Sequence, residues 1–130
     1  MIAPSAQHLE GSNCQRLETL CRLAIEGRRA ARSLARYADQ FQLSESELEI
    51  LWLLCRDAGP GIDQTTLATQ LALSPPQVSA CVEKLRVRGF ITHREAQGDR
   101  RRRLWQALAS GHDTLRMVLQ AADESREAAA

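Results

Sequence analysis

The chain has 130 residues, 44% of them hydrophobic and 25% charged, and a formal net charge of +1. That length and composition describe an ordinary soluble protein of one domain, able to bury roughly two-thirds of its unfolded surface, with no room for a second domain. No run of 18 apolar residues occurs and Met1-Ile2-Ala3-Pro4-Ser5 lacks a basic segment leading into an apolar one, so no membrane span or signal peptide is expected and the cytoplasm is the expected location. Cys14, Cys21, Cys55 and Cys81 are scattered without a C-x-x-C pair, the pattern of free thiols in a reducing compartment.

The first predicted element is one long helix over residues 12–41. It has no proline, a single interior glycine at Gly27, and Leu17, Leu20, Cys21, Ala24, Ala31, Leu34, Ala35, Ala38 and Phe41 at near-heptad spacing. A helix this long protrudes from a core of short elements, so its apolar positions are expected to bury against a second copy of the chain. Arg16, Arg22, Arg28, Arg29, Arg32 and Arg36, on its other faces, read as solvated or paired with Glu18, Glu26 and Asp39.

Ser44-Glu45-Ser46-Glu47 is a capping box, and Leu48, Leu51, Trp52, Leu54 and Cys55 then fall on one broad apolar face of a helix ending near Asp57. Gly59-Pro60-Gly61 breaks the chain, Ile62 is placed as a short edge strand, and Asp63 caps a helix containing Thr66, Leu67, Ala68, Leu71 and Ala72. After the turn Leu73-Ser74, Ser74 is an N-cap and Pro75 occupies the first helical position, where its missing N–H costs nothing. Val78, Val82 and Leu85 recur as one narrow apolar stripe, with Cys81 beside them. The other face carries Gln77, Ser79, Ala80, Glu83, Lys84, Arg86 and Arg88, small or amide groups first and cations later, and Gly89 supplies the stop.

Residues 90–95 alternate as a strand, 96–99 form a turn, and 101–107 return, which closes a hairpin. From Lys84 to Arg103 eight cations face only Glu95 and Asp99, a net of +6 in a chain whose total is +1. Positive charge gathered on one helix and hairpin is a footprint for a polyanion, because each neutralised phosphate releases condensed counterions. Ser110-Gly111-His112-Asp113 then reads as the start of a last helix over 110–127, whose Leu115, Val118, Leu119 and Ala122 are placed to rejoin the first helix at the dimer interface. The expected fold is mainly α: a winged helix-turn-helix with a small β-hairpin wing over 44–107 and long terminal dimerisation helices, residues 1–130 forming a single domain.

The succession LSESELEILWLL, LATQLALSPPQVSACVEKLRVRGFI and GDRRRRLWQALASG resembles the MarR family of dimeric bacterial winged-helix transcription regulators over roughly residues 15–125. The resemblance implies a two-fold dimer built from the first and last helices, with Leu17, Leu20, Cys21, Ala24, Leu34, Leu115, Val118 and Leu119 at the interface. It further implies double-stranded DNA carrying a pseudo-palindromic operator as partner, recognition helices in successive major grooves, wings in the flanking minor groove, and repression relieved by a small-molecule effector or by thiol oxidation. Carried over by position, Ser74, Pro76, Gln77 and Ser79 begin the recognition helix, with Gln77 the best base reader because an amide pairs bidentately with adenine. Asp99, Arg100 and Arg101 match the wing motif, the acid holding an arginine in place. Thr65, Thr66 and Lys84 are placed near phosphates, and Arg94 and Arg102 belong to the same basic surface.

Cys14 and Cys21 lie two helical turns apart, too far to bridge each other but able to meet partners across a dimer axis, and Cys14 is the redox candidate. Cys55 and Cys81 read as buried fillers. His8, His93 and His112 do not converge as metal ligands, and no nucleophile, base and orienting acid assemble, so neither a cofactor nor catalysis is expected. Two function classes remain: a sequence-specific DNA-binding repressor, and a winged-helix module binding DNA non-specifically or serving protein interactions. The first is the preferred reading; Ala80, where many relatives of the family place an arginine or another polar reader, keeps the second open.

Overall fold

A computed structural model describes residues 11–129, with side chains through Arg126. The leader reading of the N-terminus and His8 lie outside the described residues. The chain falls into two compact units divided between Leu34 and Ala35. The helix α1, Ser12–Asp39, supplies the described part of the first unit up to Leu34, and its last turn, from Ala35, belongs to the second. In the first unit Leu17, Leu20, Leu23 and Ile25 are exposed, and Arg22 pairs with Glu18 at 2.7 Å, as the i,i+4 spacing predicts. The helix stops two residues short of the expected Phe41 because the backbone turns left-handed at Gln42 (φ +58°), with the Leu43 amide returning to the Ala38 carbonyl.

The second unit contains α2 (Glu45–Arg56), α3 (Gln64–Leu71), α4 (Pro75–Val87), the strands β1 (Ile91–Ala96) and β2 (Asp99–Ala107), and α5 (Ala109–Ala129). Each helix of the central trio opens on its predicted cap. Ser44 and Glu47 form the reciprocal box of α2, Asp63 accepts from the Thr66 amide at 2.8 Å, and Ser74 accepts from Gln77. Most of their predicted inward faces are buried: Leu48, Leu51 and Leu54, then Leu67 and Ala68, then Val78, Val82 and Leu85, whereas Trp52, expected on the α2 face, is 42% exposed with the Arg56 guanidinium over its ring, and Cys55 and Leu71 are half-buried. Ile50, Ile91 and Trp105 join them in the core, as do Ala38, Leu43, Leu104 and Val118. The turn between α3 and α4 is made by Ala72 in a left-handed conformation (φ +53°), where the sequence offers no glycine.

β1 and β2 pair antiparallel, and Ile62 adds a single bridge to Trp105 through both of its backbone groups, at 2.9 and 3.0 Å. The edge expected at Ile62 is therefore one residue long. Gly61 (φ +112°) brings the chain in so closely that a Cβ there would stand 2.8 Å from the Trp105 carbonyl oxygen. The last helix begins at Ala109, one residue before the expected start. Ser110 does not cap it; its hydroxyl donates to the Gly89 carbonyl, and the Leu108 amide to that of Phe90. Gly111 is buried against the same segment, where any Cβ would collide with the Phe90 carbonyl oxygen. Among the described residues no helix is long and apolar enough to cross a membrane, and no group of His, Cys, Asp and Glu is placed to hold a metal ion.

Candidate nucleic-acid interface

Ser74, Pro76, Gln77, Ser79, Ala80 and Lys84 are all exposed on α4, so the face expected to enter a groove is uncovered in the single chain. Gln77 has a second task. Its side-chain carbonyl accepts from the Ser74 amide at 3.0 Å while its own amide donates to the Ser74 hydroxyl at 3.3 Å. The S-x-x-Q spacing carries the signal for this box, which the expectation for Gln77 as a reader passed over. With the box closed, one lone pair of the Gln77 carbonyl is taken and its side chain is tied to Ser74, so pairing bidentately with adenine must use the remaining lone pair or open the box.

The cations further along the helix are largely committed. Arg86 grips Glu83 through two bonds of 2.6 and 3.0 Å, which holds that carboxyl below its ordinary range. Arg88 reaches back to the end of α1, donating to the Gln42 and Phe41 carbonyls at 2.7 and 2.9 Å with its guanidinium 4.7 Å above the Phe90 ring. It closes the left-handed turn at Gln42 rather than facing outward. Arg94 is similarly turned to the framework, donating with Gln106 to the Pro60 carbonyl at 2.9 and 3.0 Å.

The wing differs. Its tip is Gln97-Gly98, narrower than the expected turn, and the ladder breaks just before it: Glu95 pairs with Arg103 but the next residue, Ala96, pairs with Asp99. One residue on β1 thus corresponds to four on β2, and Arg100, Arg101 and Arg102 loop out of the register. Among the described residues Arg100 and Arg101 make no side-chain hydrogen bond or ion pair, and both are exposed. Asp99 does not hold an arginine side chain as the wing motif implied; its carboxylate accepts from the Arg101 backbone amide at 3.0 Å and so shapes the bulge. The acid that holds a guanidinium is Asp63, which accepts from Arg102 Nε at 2.6 Å.

Asp63 is lowered from its ordinary value chiefly by the hydroxyl and amide of Thr66, with Arg102 adding to the effect. Thr66 is therefore engaged in the cap, while Thr65 stays exposed at the first turn of α3. Beside it a cleft of about 460 Å³ is lined by Asp63, Gln64, Thr65, Asp99, Arg101, Arg102, Arg103 and Trp105, so α3 and the wing share one concave edge where three arginines stand against two aspartates.

Cys55 and Cys81 are half-buried, and burial pushes both thiols up, disfavouring the reactive thiolate. Cys14 is half-buried and Cys21 exposed; all four cysteines are free. Of the residues expected at a dimer interface, Leu17 and Leu20 are 61% and 56% exposed, Leu119 is 54% exposed, Cys21 and Ala24 are exposed, and Leu34 and Leu115 are half-buried. Val118 departs from that expectation. At 4% exposure it is already part of the single chain's core and has little surface to offer a second copy.

A three-helix unit whose third helix presents small polar groups, followed by a basic hairpin, defines a winged helix-turn-helix of the nucleic-acid-binding class. Residues 41–102, the helix-turn-helix and most of the wing, match the sequence model of the MarR family. No curated protein matches. Among solved structures, the chain is similar to the transcriptional regulator BldR from Sulfolobus solfataricus (TM-score 0.74, 17% identity, covering 85% of this chain and 78% of that one). It is also similar to CouR from Rhodococcus jostii bound to p-coumaroyl-CoA (TM-score 0.68, 24% identity, 78% and 71% covered). A third likeness is to the MepR–DNA complex of Staphylococcus aureus (TM-score 0.66, 20% identity, 81% and 80% covered). At these identities the likeness is one of fold.

Proposed function

We propose that this protein is a dimeric, sequence-specific DNA-binding transcriptional regulator of the MarR type, acting as a repressor in the cytoplasm and released by a small ligand. The observation that carries the reading is the bulged wing, whose Arg100 and Arg101 are exposed and, among the described residues, unpartnered. Arginines held out of register on a hairpin suit a narrow minor groove, while a capped helix start with Ser79 and Gln77 suits major-groove base edges. The dimer rests on Leu17, Leu20 and Leu119, too exposed for a lone chain in water. The ligand is supported by analogy with CouR, whose structure holds p-coumaroyl-CoA.

A second reading, binding to DNA without sequence preference, draws on two features: the Gln77 carbonyl is committed to the capping box, and Ala80 presents only a methyl group. One experiment separates the two: selection of bound duplexes from a random pool at physiological salt, followed by sequencing. The expected result is an enriched inverted repeat with half-sites about one helical turn, roughly 34–36 Å, apart. Binding without enrichment would establish the second reading, and no binding at any salt would remove both.

A further inference from the structure

The base of the wing is fastened by Trp105, Arg94 and Gln106 to the segment Pro60–Ile62. Its tip has a different attachment. Of the three arginines that bulge from β2, Arg102 alone, among the described residues, is tied to another element, through Asp63. The two residues are 39 apart in sequence, and Asp63 is itself fixed: one carboxylate oxygen caps α3 at the Thr66 amide, the other receives Arg102. Its side chain is only 17% exposed. An exposed ion pair normally gives little, because two mobile side chains must both be ordered. Here the acceptor is already immobilised by its capping role, and only the arginine is ordered. The pair also lines both clefts flanking α3, so it stands where the wing meets the helix-turn-helix.

We propose that Asp63 is a positioning residue: by gripping Arg102 it latches the wing tip to α3 and fixes where Arg100 and Arg101 are presented to DNA. Arg102 then acts through the latch and not as a phosphate contact. The inference rests on the DNA-binding reading above.

The sign of one substitution separates the latch from simple electrostatics. Asp63→Asn retains an equally good cap but loses the charge that holds Arg102. Removing an acid from a DNA-facing surface should by charge alone tighten binding; the latch requires it to weaken, by about three- to tenfold on every duplex. Arg102→Gln, which leaves the cap untouched, should weaken binding equally, and the double variant should lose no more than either alone. The slope of log K against log salt should be the same in all four proteins. Tighter binding by Asp63→Asn, or a slope lowered by about one unit in Arg102→Gln alone, would overturn the latch.

A second arm needs no DNA. In the free protein, amide hydrogen exchange over residues 97–103 should rise severalfold in each single variant and no further in the double, with melting temperatures close to the parent's. Unchanged exchange in Arg102→Gln would overturn the latch even if DNA binding stands. Failure of the parent chain to bind any duplex would instead sink the DNA-binding reading, and the exchange result would still decide whether the tip is latched.

Discussion

The helix α4 and the wing contribute to the same basic stretch, yet they use their charge in opposite ways. On the helix side Arg86 is neutralised by Glu83 and Arg88 is spent on the end of α1, which leaves Lys84 and a run of small polar groups facing outward. On the wing side Arg100 and Arg101 are freed by a break in the ladder. The net charge of the stretch therefore overstates what the helix offers a polyanion and understates how far the offer is concentrated at the hairpin tip. Charge counted along a chain and charge available at a surface are different quantities, and hydrogen bonds to carbonyls and carboxylates make the difference.

The contrast breaks most visibly in DNA binding. Replacing Arg100 and Arg101 together by alanine should cost roughly ten- to a hundredfold in affinity near 0.1 M salt and lower the salt slope by about two. Replacing Arg86 and Arg88 together should leave the slope nearly intact. Fluorescence anisotropy across a salt series measures both, and equal slopes for the two double variants would erase the distinction.

Gln77→Glu sharpens the helix half. A glutamate completes the Ser74 capping box, so the melting temperature should hold within the effect of about 0.5 kcal/mol, while the amide donors disappear and binding should fall by about 1–3 kcal/mol with changed preference at one base position. A large loss of stability with specificity unchanged would make Gln77 a cap and nothing more.

The smallest effect concerns two acids that repeat the contrast between partnered and unpartnered charge. Asp63, held down by Thr66 and Arg102, contributes stability above its ordinary value of 3.8 that is lost as pH falls through its lowered one. Glu49 is the reverse: burial, then the Glu45 carboxyl one turn earlier, raises it from 4.5 to about 7. Its ionisation opposes folding, so stability should decline as pH rises through that window. Glu49→Gln should therefore raise the melting temperature at pH 8, by on the order of 1 kcal/mol after allowance for solvent screening, and give no gain at pH 4. A gain of equal size at both pH values would show that the charge is not responsible.

What the sequence made legible was local. Ser44, Asp63 and Ser74 announce their helices because a cap is satisfied within three residues, and the stripe Val78, Val82, Leu85 is legible because helical period and burial coincide. The hairpin was legible as a hairpin, but its register was not. Four consecutive arginines carry no alternation to say which face each takes, so the bulge at 100–102 left no trace. Contacts such as Arg88 with Phe41 and Arg102 with Asp63 join residues about forty positions apart, and nothing in a single chain of letters pairs one arginine with one acceptor among many. The start of α5 was misplaced because Ser110 resembles a cap, whereas its hydroxyl serves the Gly89 carbonyl.

That junction has a mechanical consequence. The carbonyls of Gly89 and Phe90, immediately after α4, receive Ser110 and Leu108, and Gly111 presses against the same peptide with no space even for a methyl group. A joint without clearance cannot absorb motion. A tilt of α5 about its first turn is therefore expected to carry the trailing end of α4 with it, like torque through a keyed shaft.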